Sequence, residues 1–141
     1  TVAALPKLVT PIIISTLEKE KSEAFVKREK VYTKEFDILE KEIRLEFYDN
    51  GAVDGDSISV FLNNKLVLPA SRLENTPLVL NITYDDNLPF NELSMFAESL
   101  GTIPPNTAVL VIYDGKKRYE VLMSSDFNKS STIKLNRTKY L

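Results

Sequence analysis

The sequence predicts an all-β fold, an antiparallel β-sandwich of about seven to nine strands of the Ig-like or jelly-roll-like kind. Two observations predict it. Apolar and polar residues alternate with period two from about residue 31 onward, as they must in strands with one buried face. Glycine and asparagine turns separate these stretches without intervening helical segments, which favours consecutive hairpin-connected strands in two packed layers.

The alternation is clearest where Ile43, Leu45 and Phe47 are interleaved with charged residues. The same pattern recurs along the chain in Ile58, Val60 and Leu62, in Leu78, Leu80, Ile82 and Tyr84, in Leu93, Met95 and Ala97, in Tyr119, Val121 and Met123, and in Ile133 and Leu135. Residues 107–113 are apolar at nearly every position, which predicts a strand that is central or covered on both faces.

Two dipeptides predict hairpin turns between these strands. Asp114–Gly115 is a strong signal, because glycine readily adopts the positive φ that tight hairpin turns need. Asn63–Asn64 is a weaker signal of the same kind, since asparagine tolerates positive φ better than most residues.

The N-terminal region, residues 1–30, differs from the predicted sandwich domain over 31–141. Ser15 and Glu18 have the spacing of a capping box, so a helix over about 16–28 is expected. Leu17, Ala24 and Phe25 would give that helix a narrow apolar stripe. A charged leader without regular structure is the alternative.

The predicted strands also carry apolar residues on the faces that point away from the core. They are Phe61, Val79, Phe96, Val109, Val111 and Tyr113. Leaving all of them in water would expose a sizeable apolar patch. Because residues 1–30 contain apolar side chains of their own, we expect this region to fold over an outer face; coverage by a partner is the alternative.

Composition excludes several classes of function. The chain has 18 lysines and arginines against 20 acids, a net charge of −2 that offers no general attraction to nucleic acid. Histidine and cysteine are absent, which removes histidine-assisted nucleophiles, the usual zinc sites and disulfides. The longest apolar stretch, residues 8–17, contains a proline and is far shorter than the roughly 20 residues of a membrane-spanning helix.

Three sequence segments carry a family resemblance. Residues 48–65 read YDNGAVDGDSISVFLNNK, residues 91–108 read NELSMFAESLGTIPPNTA, and residues 114–121 read DGKKRYEV. Over about residues 30–136 the chain resembles a C-terminal domain of secreted or envelope proteins of Bacteroidetes with a YDNGxxDGDxxSVxLN signature, a family without an assigned activity. The resemblance implies an extracytoplasmic β-sandwich. Asn64 departs from it, because glycine is usual in that turn.

The acidic segment 49–56 is the most specific candidate site. Asp49, Asn50, Asp54 and Asp56 place hard oxygen ligands within eight residues, the donor type that Ca²⁺ prefers. The spacing is not that of an EF-hand. The alternative is structural, because aspartate and asparagine often hydrogen-bond the amides of their own turn. Glu98 or Asp114 could complete a cation site if the fold brings them near.

Two further candidates carry structural alternatives of their own. Phe61, Phe96 and Tyr113, with Tyr119, could stack on a sugar, although their strand periodicity favours packing. Asp49, Asp54, Asp56 and Glu98 could supply the carboxylate pair of a glycoside hydrolase, but no spacing in the sequence encodes the required separation.

The sequence therefore predicts a non-catalytic, extracytoplasmic binding or scaffolding domain without a required cofactor. Its expected partner is an envelope protein or a glycan, with no nucleic acid and no membrane-spanning segment. A calcium-dependent carbohydrate-binding module is the second interpretation, and a carboxylate-pair enzyme is the third.

Overall fold

A computed structural model describes residues 18–50, 55–100 and 105–137. Helix α1 occupies residues 18–27. The strands of the described ranges are β1 (Glu29–Ile38), β2 (Glu42–Asp49), β3 (Ser57–Leu62), β4 (Lys65–Arg72), β5 (Leu78–Thr83), β6 (Asn91–Ser99), β7 (Asn106–Asp114), β8 (Lys117–Ser125) and β9 (Lys129–Arg137). The proposed capping box cannot be compared, because Ser15, like Leu17, lies outside these residues.

The strands form two sheets, so the predicted β-sandwich is confirmed. The five-stranded sheet has the order β1-β9-β6-β3-β4, and the four-stranded sheet has the order β5-β2-β7-β8. Every neighbouring pair is antiparallel except β1 and β9, which run parallel. Strand β7 lies between β2 and β8, which confirms the central position predicted for residues 107–113. Among the described residues, no helix is long and apolar enough to cross a membrane.

The core between the sheets consists of the side chains that the alternation predicts to point inward. Strand β2 contributes Ile43, Leu45 and Phe47, which are all essentially inaccessible to water. From the other sheet, Leu93 and Met95 of β6 join the same cluster and are equally buried. Because burial follows the period of two from strand to strand, every second position in the sheets points away from this core.

Both predicted hairpin turns are present. Asn63 and Asn64 have φ values of 52° and 68°, as a two-residue type I′ turn between β3 and β4 requires. Asn64 thus adopts the left-handed conformation that glycine usually supplies. In the β7–β8 hairpin the turn residues are Gly115, with φ 60°, and Lys116, while Asp114 is the last paired residue of β7.

Candidate functional site

Helix α1 packs on the outer face of the five-stranded sheet through three aromatic rings. Phe25 of α1 stacks on Phe61 of β3 with ring centroids 4.1 Å apart and an interplanar angle of 5°. Phe96 of the neighbouring β6 meets Phe61 edge-on at 5.7 Å. Phe61 is fully buried and Phe96 is 2% exposed. Residues 18–27 therefore cover this outer face, whereas the placement of residues 1–17 lies outside the described structure.

Cationic side chains surround this aromatic cluster. The Arg28 guanidinium lies 3.7 Å from the centroid of the Phe96 ring, and its Nη1 donates a 2.7 Å hydrogen bond to the carbonyl of Ala97. Burial lowers the pKa of Arg28 from its ordinary value, although Glu98 and Asp126 oppose the shift. Lys21 of α1 forms an ion pair with Glu98. These contacts add electrostatic attraction to the apolar packing of α1.

The cluster corrects two of the candidate sites. Phe61 and Phe96 face α1 rather than water, so in this arrangement neither ring can stack on a sugar. Glu98 is held by Lys21 and by the hydroxyl of the fully buried Ser59. Its carboxylate therefore helps to attach α1 to the sheet. Two stacking candidates remain, both on the other sheet: Tyr119 packs against the core beside Phe36, and Tyr113 lies on the outer face.

The outer face of the four-stranded sheet carries a network centred on a carboxylate. Glu46 of β2 is only 6% exposed although it points away from the core. Its Oε2 accepts hydrogen bonds from Arg44 Nε and Nη2 at 3.1 and 2.7 Å. Its Oε1 accepts from the hydroxyls of Tyr48 and Tyr113 at 2.7 and 3.2 Å. The donors satisfy both oxygens, and the two tyrosine hydroxyls meet at the same carboxylate oxygen.

This network changes the acidity of Glu46 and of Tyr48. The hydrogen bond from Tyr48, followed by that from Arg44, lowers the pKa of Glu46 below its ordinary value of 4.5. The same hydrogen bond raises the pKa of Tyr48, because loss of the phenolic proton would place two negative charges in contact. Glu46 is therefore ionised, and Tyr48 is a neutral donor, at neutral pH.

Apolar and cationic residues flank the network. Val79 of β5 and Leu122 of β8 are 42% and 53% exposed. Val111 lies opposite Glu46 in the β2–β7 ladder and is buried. We define the tyrosine–arginine face as Arg44, Glu46 and Tyr48 of β2, Val79 of β5, Val109 and Tyr113 of β7, and Arg118 and Leu122 of β8. No element of the described ranges packs over these residues as α1 packs over the five-stranded sheet.

The acidic segment lies at one end of the sandwich. Asp49 ends β2, Asn50 follows it and is exposed, and Asp56 precedes β3 and is 2% exposed. Asp54 lies outside the described residues. The backbone amide of Asp49 donates to the carbonyl of Glu74 at 3.1 Å, and the amide of Leu73 donates to the carbonyl of Asp56 at 2.9 Å. Leu73 and Glu74, which are consecutive in the chain, therefore hold the two ends of the acidic segment close together.

The two carboxylates considered as additional ligands lie elsewhere. Asp114 pairs at the opposite end of β7, six residues beyond the Asp49–Ala108 pair and thus about 20 Å away. It is buried and accepts the backbone amides of Leu39 and Glu40 at 2.9 and 2.8 Å, so it holds the β1–β2 connection. Glu98 serves α1. Neither carboxylate thus completes a cation site with Asp49 in this arrangement.

The structure reveals one polar residue at this end that sequence reasoning did not single out. Asn106, the first residue of β7, is fully buried, and its Nδ2 donates a 3.0 Å hydrogen bond to the carbonyl of Ser57. A single asparagine at the start of an apolar strand carries no sequence signal of a ligand. Its role depends on packing that only the fold reveals.

Comparison with known proteins adds no identification. The chain matches no protein-family model, no curated protein and no solved structure. Function is therefore argued from the geometry of this chain.

Proposed function

We propose that this domain is a non-catalytic binding module of the extracytoplasmic space that holds a protein partner on the tyrosine–arginine face. The observation that supports the proposal is the network around Glu46, which fixes two tyrosines and an arginine next to exposed valine and leucine side chains. Preorganised side chains lose little conformational entropy on binding, so such a face is suited to recognition. The extracytoplasmic location rests on the family resemblance of residues 30–136.

The chemistry of the face favours a protein over a glycan. Tyrosine and arginine are the residue types enriched in the energetically dominant centres of protein interfaces. Val79 and Leu122 add aliphatic surface, which a protein partner can bury but to which a sugar offers few apolar groups. Arg44 and Arg118 pair with Glu46 and Glu120, but both guanidinium side chains are about half exposed, so each can still donate to an acceptor of the partner.

A photocrosslinking experiment tests this proposal. A photoreactive amino acid replaces Leu122 in the full chain, and the protein is irradiated in an envelope fraction of the producing cells. We expect one discrete adduct with a protein, and we expect excess unlabelled wild-type chain to abolish it. A competitor that carries Val79→Asp with Tyr113→Ala should compete at least about tenfold less well, since it loses two central contacts.

Val26 provides the matched control. It is 73% exposed on α1, outside the proposed surface, so the same photoreactive group there should give no competed adduct. A Val26→Asp competitor should perform like the wild-type chain. Equal competition by the face variant and the wild type, or identical adducts from both positions, would contradict the proposal. An adduct with glycan in place of protein would favour the carbohydrate-binding interpretation.

A further inference from the structure

The side-chain oxygen of Asn106, at the acidic end of the sandwich, is buried without a hydrogen-bond partner among the residues that the structure describes. Asn106 is fully inaccessible to water, and although its Nδ2 donates to the Ser57 carbonyl, its Oδ1 accepts no hydrogen bond from the described residues. An unsatisfied buried carbonyl oxygen costs roughly 1–3 kcal/mol. Such an oxygen in a well-packed domain indicates a missing donor, a water molecule or a cation.

The fold places Asn106 close to the two described aspartates. Asn106 has the same inward-facing parity as Ala108 and Leu110, and Ala108 pairs with Asp49. Asp49 and Asn106 are thus diagonal neighbours on one face, about 7 Å apart at the backbone. Across the sandwich, the hydrogen bond to the Ser57 carbonyl places Asn106 next to Asp56. Asp49, Asp56 and Asn106 therefore lie together at this end of the sandwich.

We propose that this end of the sandwich binds Ca²⁺, with Asp49, Asp56 and the Asn106 Oδ1 as protein ligands. Ca²⁺ takes six to eight oxygen ligands, and it accepts carboxylates, amide oxygens, backbone carbonyls and water. No three carboxylates come together within the described ranges, so the amide oxygen is an essential member of the set. Binding would give the Asn106 Oδ1 the partner that it lacks among the described residues. The site is independent of the tyrosine–arginine face.

Calcium titration of the full chain tests the proposal. Metal-stripped protein is titrated with CaCl₂ by calorimetry, and its melting temperature is measured at 10 mM CaCl₂ and at 10 mM MgCl₂. Sites in extracellular modules have Kd values of about 0.1–1 mM, so we expect calcium to raise Tm by roughly 5 °C. Magnesium should give a smaller shift, because it demands stricter octahedral geometry. Absence of both heat and Tm shift would overturn the proposal.

Variants of the three ligands identify the site. Asn106→Ala and Asp56→Asn should each weaken calcium binding by at least about tenfold. Asn106→Asp keeps the shape of the side chain but replaces the Nδ2 donor to the Ser57 carbonyl with a charged oxygen, so it should lower Tm without calcium and show a larger rise in Tm with calcium than the wild type. Asp85→Asn is the control, because Asp85 is exposed and caps a different turn through the Asn87 amide. Undiminished calcium binding in Asn106→Ala would show that Asn106 is not a ligand.

Discussion

Both outer faces of the sandwich carry apolar side chains that point away from the core, because several strands are apolar at nearly every position. The two faces shield these side chains from water in different ways. On the five-stranded sheet, a separate element covers them: Phe25 of α1 stacks on Phe61 and excludes water. On the four-stranded sheet, polar side chains of the sheet itself cover Val111, with Glu46 at their centre.

The comparison shows what each solution leaves available. A helix that covers a face removes its aromatic residues from any ligand. A layer of hydrogen-bonded side chains leaves Tyr48 and Tyr113 half-buried and accessible at their edges, with Val79 and Leu122 beside them. The covered face therefore contributes stability, and the tyrosine–arginine face is the one on which we propose that a partner binds. Substitutions on the two faces should separate these contributions.

The largest effect is expected from Phe25→Ala. The Phe25 side chain is 1% exposed and stacks at 4.1 Å, so its removal should cost about 3 kcal/mol in the free energy of unfolding. Urea denaturation followed by far-ultraviolet circular dichroism measures it. The neighbouring Val26→Ala, at a 73% exposed position, should change stability by less than about 0.5 kcal/mol. Equal, small effects of both substitutions would mean that α1 is not attached to the sheet.

Removing either of two ion pairs, one on each outer face, should produce a smaller difference in the free energy of unfolding. Glu98→Ala removes the partner of Lys21 and leaves the buried Ser59 hydroxyl without its acceptor, which should cost about 1–2 kcal/mol. Glu120→Ala removes a pair with Arg118 in which both side chains are more than half exposed, and should cost less than about 0.5 kcal/mol. Urea denaturation of both variants measures the two losses of stability and shows which is larger. A reversed ranking would contradict the difference between the faces.

The most specific prediction concerns pH and Glu46. Its pKa in the folded protein lies below the ordinary 4.5, so the folded state holds the carboxylate form more strongly than the unfolded chain does. The resulting stability is fully present above about pH 4.5 and is lost as pH falls through the lowered pKa. The difference in unfolding free energy between wild type and Glu46→Gln should therefore shrink between pH 6 and pH 3.

Tyr48→Phe tests the cause of that shift. Because the Tyr48 hydroxyl contributes most to the lowered pKa, its removal should move the acid limb of the stability profile toward higher pH. An acid limb that stays in place would assign the shift to Arg44 instead. The tyrosine ring remains as phenylalanine, so packing changes little.

Parts of this fold could be predicted from the sequence because their residue pattern indicates burial, and other parts could not. Inward residues such as Leu45 and Met95 were predictable, since alternation reports burial directly. Phe25 was predictable as part of a narrow helical stripe. Strand β1 was not singled out, because it lies at a sheet edge with few buried side chains and pairs in parallel with the distant β9. Strand β4 contains Pro69 and lies at the other edge, where proline is tolerated.

The candidate sites were less predictable than the fold. Tyr113 and the segment with Asp49 were identified from residue type, but the sequence could not show which outer face α1 covers. That choice buries Phe61 and Phe96 and leaves Tyr113 accessible. Asn106 escaped notice because its burial results from contacts across the two sheets. Sites that depend on tertiary contacts are therefore beyond a reading of local pattern.

Thiol labelling tests the contrast between the two faces most directly, because the natural chain contains no cysteine. Ser59→Cys places a thiol beneath α1 at a fully buried position, and Leu122→Cys places one on the tyrosine–arginine face at a 53% exposed position. We predict that a thiol reagent modifies the Leu122→Cys protein at nearly the rate of the unfolded chain and the Ser59→Cys protein on the order of a hundredfold more slowly. Equal rates for the two native proteins would contradict the account.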